Sequence, residues 1–144
     1  MSTKIESSIR EISAPQATVY NTLSDLGNIQ QFMDKVPEDK KAELKDKVEN
    51  LEFDHDSLSV KTQMGAVKLV VVNREPPKEI KFETAESPLP FNFWIQILPV
   101  TETTSKMKLT IKADINPFMA SMVKKPLQQG IEKIADALQM IHYQ

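Results

Sequence analysis

The sequence predicts an α+β domain in which an antiparallel sheet of about seven strands is covered on one face by a long C-terminal helix. The second half of the chain reads as six consecutive strands, grouped into three hairpins by turn-forming residues. In the last hairpin apolar and polar residues alternate, so one sheet face needs an apolar cover. The stretch that follows carries an unbroken apolar stripe at helical spacing and supplies that cover.

Composition limits the possible classes of function. The 144 residues suit a single domain spanning 1–144, with 18 basic and 20 acidic residues and a net charge of −2. No basic stripe is visible, so we predict no nucleic-acid binding. The absence of cysteine excludes disulfides and thiolate metal sites. No segment approaches the ~20 apolar residues of a membrane helix, and the N-terminus lacks the apolar core of a secretory signal. We therefore predict no membrane insertion and a cytoplasmic location.

The first strand is predicted over residues 4–12, with Ile5, Ser7 and Ile9 on one face. A helix is predicted to begin next, because Ser13 stands three residues before Gln16, the spacing of a capping box, and a proline fits the first turn. Its apolar stripe is Val19, Leu23 and Leu26. After an interrupting glycine, a second short helix is predicted from Ile29, Phe32 and Met33.

The six strands that follow are separated by turn formers. "VENLEF" and "LSVKTQ" flank residues 54–57, "AVKLVVVNRE" and "EIKFETAE" flank Pro76-Pro77, and "PFNFWIQILPV" and "KMKLTIKADI" flank the polar residues 101–105. In the last hairpin, the residues predicted to face the apolar cover are Phe91, Phe93, Ile95, Ile97, Met107, Leu109, Ile111, Ala113 and Ile115. On the opposite, outer face, a joined apolar patch would indicate a homodimer contact; its predicted members are Val70, Val72, Trp94 and Leu98.

The C-terminal helix is predicted to begin with Asn116 as its N-cap and Pro117 as its first residue. Its apolar stripe is Leu127, Ile131, Ile134, Leu138 and Ile141. Pro126 removes one backbone hydrogen bond and Gly130 weakens the next turn, so a bend between the two halves of the helix is predicted.

This order of elements resembles the helix-grip fold of the START-like (SRPBCC, Bet v 1-like) superfamily, which includes polyketide cyclases and lipid-transport proteins. The resemblance covers nearly the whole chain and is carried by "ISAPQATVYNTLSDLGNIQQFM", "PFNFWIQILPV" and "LTIKADINPFMASMVKKPLQQGIEKIADAL". It implies that the sheet curves around the C-terminal helix. It also implies a cavity between them that holds a small hydrophobic molecule.

The implied cavity has a predicted lining and a predicted gate. Inward-facing residues of the sheet would line it: Val67, Leu69, Val71, Phe82, Phe91, Phe93, Ile95, Met107, Leu109 and Ile111. Met119, Met122 and Val123, near the start of the helix, would lie over its mouth, because methionine re-packs readily around varied guests. The alternative is that these methionines fill ordinary gaps in the core.

Few residues offer catalytic chemistry. The glycines are isolated, so the chain has no phosphate-binding loop, and we predict no cofactor and no metal. His55, between two aspartates, is interpreted as part of a solvated turn, and His142 as a residue that complements the helix dipole. The polar groups at inward positions are predicted to orient a ligand rather than to catalyse; they are Tyr20, Thr62, Asn73 and Thr84.

The sequence therefore predicts a binder or carrier of a small hydrophobic molecule of lipid, sterol-like or polyketide-like chemistry. Two alternatives stay open. A polyketide cyclase or dehydrase would need at least two polar groups that converge in the cavity. A protein-interaction module of the co-chaperone type would have a filled interior and a binding patch around Trp94.

Overall fold

One curved antiparallel sheet organises the fold. The computed structural model describes residues 2–28, 51–62, 65–86, 90–139 and 143, and eight strands lie within them. They are β1 (Ser2–Glu6), β2 (Arg10–Ile12), β3 (Leu51–Asp54), β4 (Ser57–Thr62), β5 (Gly65–Glu75), β6 (Glu79–Glu86), β7 (Asn92–Pro99) and β8 (Ser105–Asp114). Their order in the sheet is β1-β8-β7-β6-β5-β4-β3, and β2 also pairs with β8. The three predicted hairpins are confirmed, and the start of the chain pairs with the last strand.

The predicted first strand is divided in two by a shift of register. Glu6 lies opposite Thr110, whereas Arg10, four residues later, lies opposite Met107, so one extra residue is accommodated between β1 and β2. At this point Ser7 Oγ accepts a hydrogen bond of 3.0 Å from the backbone N of Leu109. An extra residue reverses which face the following side chains take. The prediction that Ile9 lies on the same face as Ile5 and Ser7 is therefore wrong: Ile5 and Ser7 are buried, and Ile9 is 61% exposed.

The first helix, α1, spans Gln16–Leu23 and buries Val19 and Leu23 against the sheet. The predicted capping box at Ser13 is wrong, because Pro15 is the N-cap residue and no side chain caps the helix. Gln16 instead donates a hydrogen bond of 2.9 Å from Nε2 to the backbone O of Ile97, which ties α1 to β7. The second short helix predicted from Ile29, Phe32 and Met33 lies outside the described residues.

The second helix in the described part of the chain, α2, spans Pro117–Gln139. Asn116 is its N-cap as predicted, since its Oδ1 accepts a hydrogen bond of 2.8 Å from the backbone N of Met119. The helix continues through Pro126 and Gly130, and its buried side chains are Val123, Leu127, Ile131, Ile134, Ala135, Ala137 and Leu138. Neither α1 nor α2 is long and apolar enough to cross a membrane.

The core lies between the inner sheet face and the two helices. Alternation along β7 and β8 is confirmed, because Phe93, Ile95 and Ile97 on β7 are buried together with Met107, Leu109 and Ile111 on β8. Phe82 on β6 meets Phe93 edge to face, with ring centroids 5.3 Å apart. Both rings are fully buried in the core.

Polar side chains tie the second half of α2 to the edge of the sheet. Arg10 pairs with Glu132, with 2.7 Å between Nη2 and Oε2, and also with the carboxylate of Asp136. It donates a further hydrogen bond of 3.2 Å to Gln139 Oε1, and the backbone N of Ser8 donates to Glu132 Oε1 at 2.5 Å. We call Ser8, Arg10, Glu132, Asp136 and Gln139 the Arg10 network.

Two amide side chains of α2 add hydrogen bonds to the backbone of the sheet. Gln128 donates from Nε2 to the backbone O of Glu6 at 2.9 Å. Gln139 donates from Nε2 to the backbone O of Glu11 at 3.1 Å. Residues 128–139 of α2 are thus attached along β1 and β2 by hydrogen bonds as well as by apolar packing.

Candidate ligand site

A small apolar cavity lies between the sheet and the middle of α2. Its volume is about 40 Å³, and we call it the inner cavity. The side chains around it are all apolar, apart from the glycine that has none: Val67, Leu69, Phe91, Phe93, Ile111, Pro126, Leu127, Gly130, Ile131 and Ile134. Such a lining favours a guest that has little hydrogen-bonding capacity.

Strand alternation and one glycine create this space. Every second residue of β5, β7 and β8 points inward, which brings Leu69, Phe93 and Ile111 to the same side of the sheet. Across from them, a Cβ added at Gly130 would meet no described atom within 4 Å. The missing side chain of Gly130 therefore leaves room between α2 and the sheet.

The predicted lining residues divide into two groups in the structure. Those that line the inner cavity are Val67, Leu69, Phe91, Phe93 and Ile111. Those that are buried in the surrounding core without lining it are Phe82, Ile95, Met107 and Leu109, and Val71 is half-buried against that core. All five lining residues outside α2 thus belong to the predicted lining.

The helix side differs from the predicted gate. Met119 and Met122 are 44% and 68% exposed and do not line the inner cavity, while Val123 is buried. The helix residues that do line it lie about one to three turns after Met122, from Pro126 to Ile134. The sequence signal for this position is the isolated Gly130, which leaves space beside the helix as well as weakening a turn.

Those of the predicted polar orienting groups whose side chains are described do not converge. Thr84 Oγ1 accepts a hydrogen bond of 3.3 Å from the backbone N of Phe91, which uses it within the sheet. Asn73 is exposed because β5 shifts register between Val71 and Asn73. Thr62 ends β4, and its side chain lies outside the described part of the chain.

Tyr20 is the exception among these polar groups, because it is buried on α1. Its hydroxyl has no hydrogen-bond partner among the described residues. Burial raises the pKa of Tyr20 above its ordinary value, against the opposing effect of the nearby Arg74 guanidinium. The phenol is therefore held neutral, and it is not part of the inner cavity lining.

His55 forms an ion pair that the sequence did not predict. Its side chain is 75% exposed, as expected for a turn, but Nδ1 lies 2.9 Å from Oδ1 of Asp25, just beyond α1. This hydrogen bond raises the pKa of His55 and lowers the pKa of Asp25. No group of metal-ligating side chains occurs in the described ranges, and His142 lies outside them.

We expect the His55–Asp25 pair to be visible in a pH titration. Because the pKa of His55 is raised in the folded state, its contribution to stability is complete below the unfolded value near 6.5 and is lost as pH rises through the folded value. The ionised carboxylate of Asp25 contributes to stability at pH values above its ordinary pKa of 3.8. That contribution is lost as pH falls through its lowered pKa. NMR titration of the imidazole should give a raised pKa that returns toward 6.5 in Asp25→Asn. The same pKa of His55 in the wild type and in Asp25→Asn would contradict the pair. Glu52→Gln is the control and should leave the pKa of His55 raised.

Comparisons with known proteins place this geometry in context. The family model for polyketide cyclase/dehydrase and lipid transport proteins matches residues 2–139. No curated protein matches the chain in sequence.

Solved structures share the fold at low sequence identity. A START superfamily protein from Mycobacterium smegmatis is similar over 94% of this chain and 94% of that chain, at 15% identity and a TM-score of 0.63. Norcoclaurine synthase from Thalictrum flavum, in complex with dopamine and hydroxybenzaldehyde, is similar over 96% of this chain and 85% of that chain, at 14% identity and a TM-score of 0.69. The predicted helix-grip fold is thereby confirmed.

Proposed function

Because the chain belongs to the polyketide cyclase/dehydrase and lipid transport family, we propose that it binds a small apolar molecule in the inner cavity, between the sheet and α2. The observation that carries the proposal is the wholly apolar lining of this cavity next to the missing side chain of Gly130. Affinity would come mainly from removing apolar surface from water. The guest is of lipid, sterol-like or polyketide-like chemistry.

The size of the inner cavity implies that a guest displaces part of α2. Its volume of about 40 Å³ is far below the ~300–1,000 Å³ of common ligand pockets. Opening would expose buried side chains such as Val123 and Leu127, at a cost of about 1.5–3 kcal/mol each. Apolar surface of the guest, once buried, offsets that cost.

The first half of α2 is the part that we expect to move. Residues 128–139 are attached by the Arg10 network and by Gln128 and Gln139. No side-chain hydrogen bond ties residues 117–127 to the sheet within the part of the chain that the structure describes. Pro126 also removes one backbone hydrogen bond at the boundary between the two halves. Opening therefore needs to break mainly apolar contacts.

Substitution of Gly130 tests the proposal. The neutral fluorescent probe N-phenyl-1-naphthylamine should bind the wild type with increased emission, and Gly130→Phe should weaken binding at least tenfold, about 1.4 kcal/mol, because the new ring occupies the space. Gly130→Ala is the matched control: its methyl group meets no described atom, and it should keep probe binding while stabilising α2 by about 0.5–1 kcal/mol. Equal affinity in wild type and a folded Gly130→Phe variant would contradict an inner ligand site.

A protein-interaction module is the second candidate, and the small volume of the inner cavity favours it. The patch around Trp94 supports it less, because the ring is half-buried and the ammonium groups of Lys81 and Lys112 lie 5.6 and 5.9 Å from its centroid. The cyclase alternative lacks converging polar groups among the described residues.

The homodimer through the outer face and the cytoplasmic location stay predictions. The molar mass from light scattering at high concentration tests the homodimer.

A further inference from the structure

The first half of α2 carries an apolar patch that is open to solvent. Phe118 is 81% exposed, Met122 68% and Met119 44%. Met122 stands four residues after Phe118 and three after Met119, so its side chain lies beside both on the helix surface. Isolated exposed hydrophobic residues are common, but three that adjoin form a patch of the kind that marks an interaction site.

This patch points away from the sheet. Phe118, Met122 and Lys125 follow one another at spacings of four and three residues, so they lie on one face of the helix. Val123 and Leu127, on the other side of the helix, are buried. The outward patch and its two neighbouring lysines are called the Phe118 surface, which consists of Phe118, Met119, Met122, Lys124 and Lys125.

The Phe118 surface is positively charged. Lys124 and Lys125 are exposed and form no ion pair within the part of the chain that the structure describes. Residues 115–131 contain no aspartate or glutamate. The carboxylates that flank them are directed elsewhere, because Asp114 takes the outer face of the sheet by alternation and Glu132 is held in the Arg10 network. The two ammonium groups therefore favour an anionic occupant over a cationic one.

We propose that the Phe118 surface docks the protein on a membrane that contains anionic lipids. Its apolar side chains enter the boundary between headgroups and acyl chains, and its lysines meet the negative charges of the headgroups. The helix lies on the membrane in this arrangement, so no spanning helix is needed. With three apolar side chains and two lysines, the contact is weak and reversible.

A lipid surface fits the Phe118 surface better than a second protein does. A stable protein interface takes about 20–30 residues from each side, whereas the Phe118 surface has only the residues named above. A bilayer needs no matching shape, and the flexible methionine side chains adapt to disordered acyl chains. The inference does not rest on a guest in the inner cavity, because no residue of the Phe118 surface lines that cavity.

The test is co-sedimentation of the full chain with vesicles of phosphatidylcholine alone, or of phosphatidylcholine and phosphatidylserine in equal parts. We expect binding to the mixed vesicles to be at least tenfold stronger and to weaken in high salt. Phe118→Ser combined with Met122→Ser should weaken that binding at least tenfold, because less apolar surface is buried. Lys124→Gln combined with Lys125→Gln should also weaken it at least tenfold.

Matched controls change exposed residues outside the Phe118 surface. Val72→Ser removes an exposed apolar side chain of β5. Lys68→Gln combined with Lys78→Gln removes as much positive charge as the Lys124 and Lys125 variant, from other exposed positions. Both controls should bind the mixed vesicles like the wild type. All these positions are exposed, so every variant should keep the wild-type unfolding midpoint within a few degrees.

Three outcomes would overturn the proposal. The wild type could fail to bind the mixed vesicles, the Phe118 and Met122 variant could bind them like the wild type, or either control could lose as much binding as the matched variant. A molar mass that doubles at high concentration and reverts in the Phe118 and Met122 variant would assign the surface to a second copy of the chain instead. Failure of the Gly130→Phe test leaves this proposal unaffected, because Gly130 is not part of the Phe118 surface.

Discussion

Replacement of Phe93 by alanine is expected to lower the free energy of unfolding by about 3–5 kcal/mol. Phe93 is fully buried, meets Phe82 edge to face and lines the inner cavity. Its removal loses the transfer free energy of the ring and leaves a void that the close-packed sheet fills only in part. Urea unfolding should show a lower midpoint with an unchanged slope. Leu98 lies on the same strand but is exposed, so Leu98→Ala should change the free energy of unfolding by no more than about 0.5 kcal/mol.

The same variant tests whether the space beside α2 accepts an apolar guest. The enlarged cavity of Phe93→Ala should stay dry and bind benzene, because its walls are apolar. Benzene should then raise the unfolding midpoint of the variant more than that of the wild type, since a ligand that binds only the folded state stabilises it. Two results would contradict the described packing of the Phe93 ring. One is a decrease of less than about 1 kcal/mol in the free energy of unfolding, and the other is an equal effect of benzene on the wild type and on Phe93→Ala.

Replacement of Arg10 by alanine is expected to cost about 1.5–3 kcal/mol, the range for hydrogen bonds that involve charged groups. The guanidinium is mostly buried and bridges β2 to Glu132 and Asp136 on α2. Arg10→Lys should recover only part of the loss, because an ammonium group cannot reproduce the two-pronged geometry. Lys124→Ala, an exposed position of α2, is the control and should be nearly neutral.

The effect of Arg10→Ala should also depend on pH. Burial raises the pKa of Glu132, but hydrogen bonds from Ser8 and Arg10 outweigh it and leave the pKa below its ordinary value. A carboxylate with a lowered pKa stabilises the fold above its unfolded value, and this contribution is lost as pH falls through the folded value. The difference between wild type and Arg10→Ala should therefore shrink in acid. A difference that is constant from neutral pH to acid would contradict the role assigned to the Arg10–Glu132 pair.

Much of the fold follows from local patterns in the sequence. The alternation of Phe93, Ile95 and Ile97 identified an inward face because each strand side chain has only two directions. Asn116 identified the start of α2 because its side chain satisfies a free backbone N–H. Features of this kind depend on near neighbours in the chain, and they survive tertiary packing.

The misplaced features depend on contacts that are distant in the chain. The shift that turns Ile9 outward is stabilised by Leu109, and no local pattern predicts it. Asn73 leaves the inward face through a similar shift in β5. The pair of His55 with Asp25 joins residues that are far apart in sequence. A count of alternating positions along one strand cannot detect such shifts, and this is why Asn73 does not join the inward-facing residues.

The most direct test of an apolar guest beside Gly130 is native mass spectrometry of protein purified from cells, compared between wild type and Gly130→Phe. We expect a reproducible additional mass on the wild type that is absent from the variant and is removed by organic extraction. A wild type that is unliganded in every preparation, or an additional mass that persists in folded Gly130→Phe, would contradict the account.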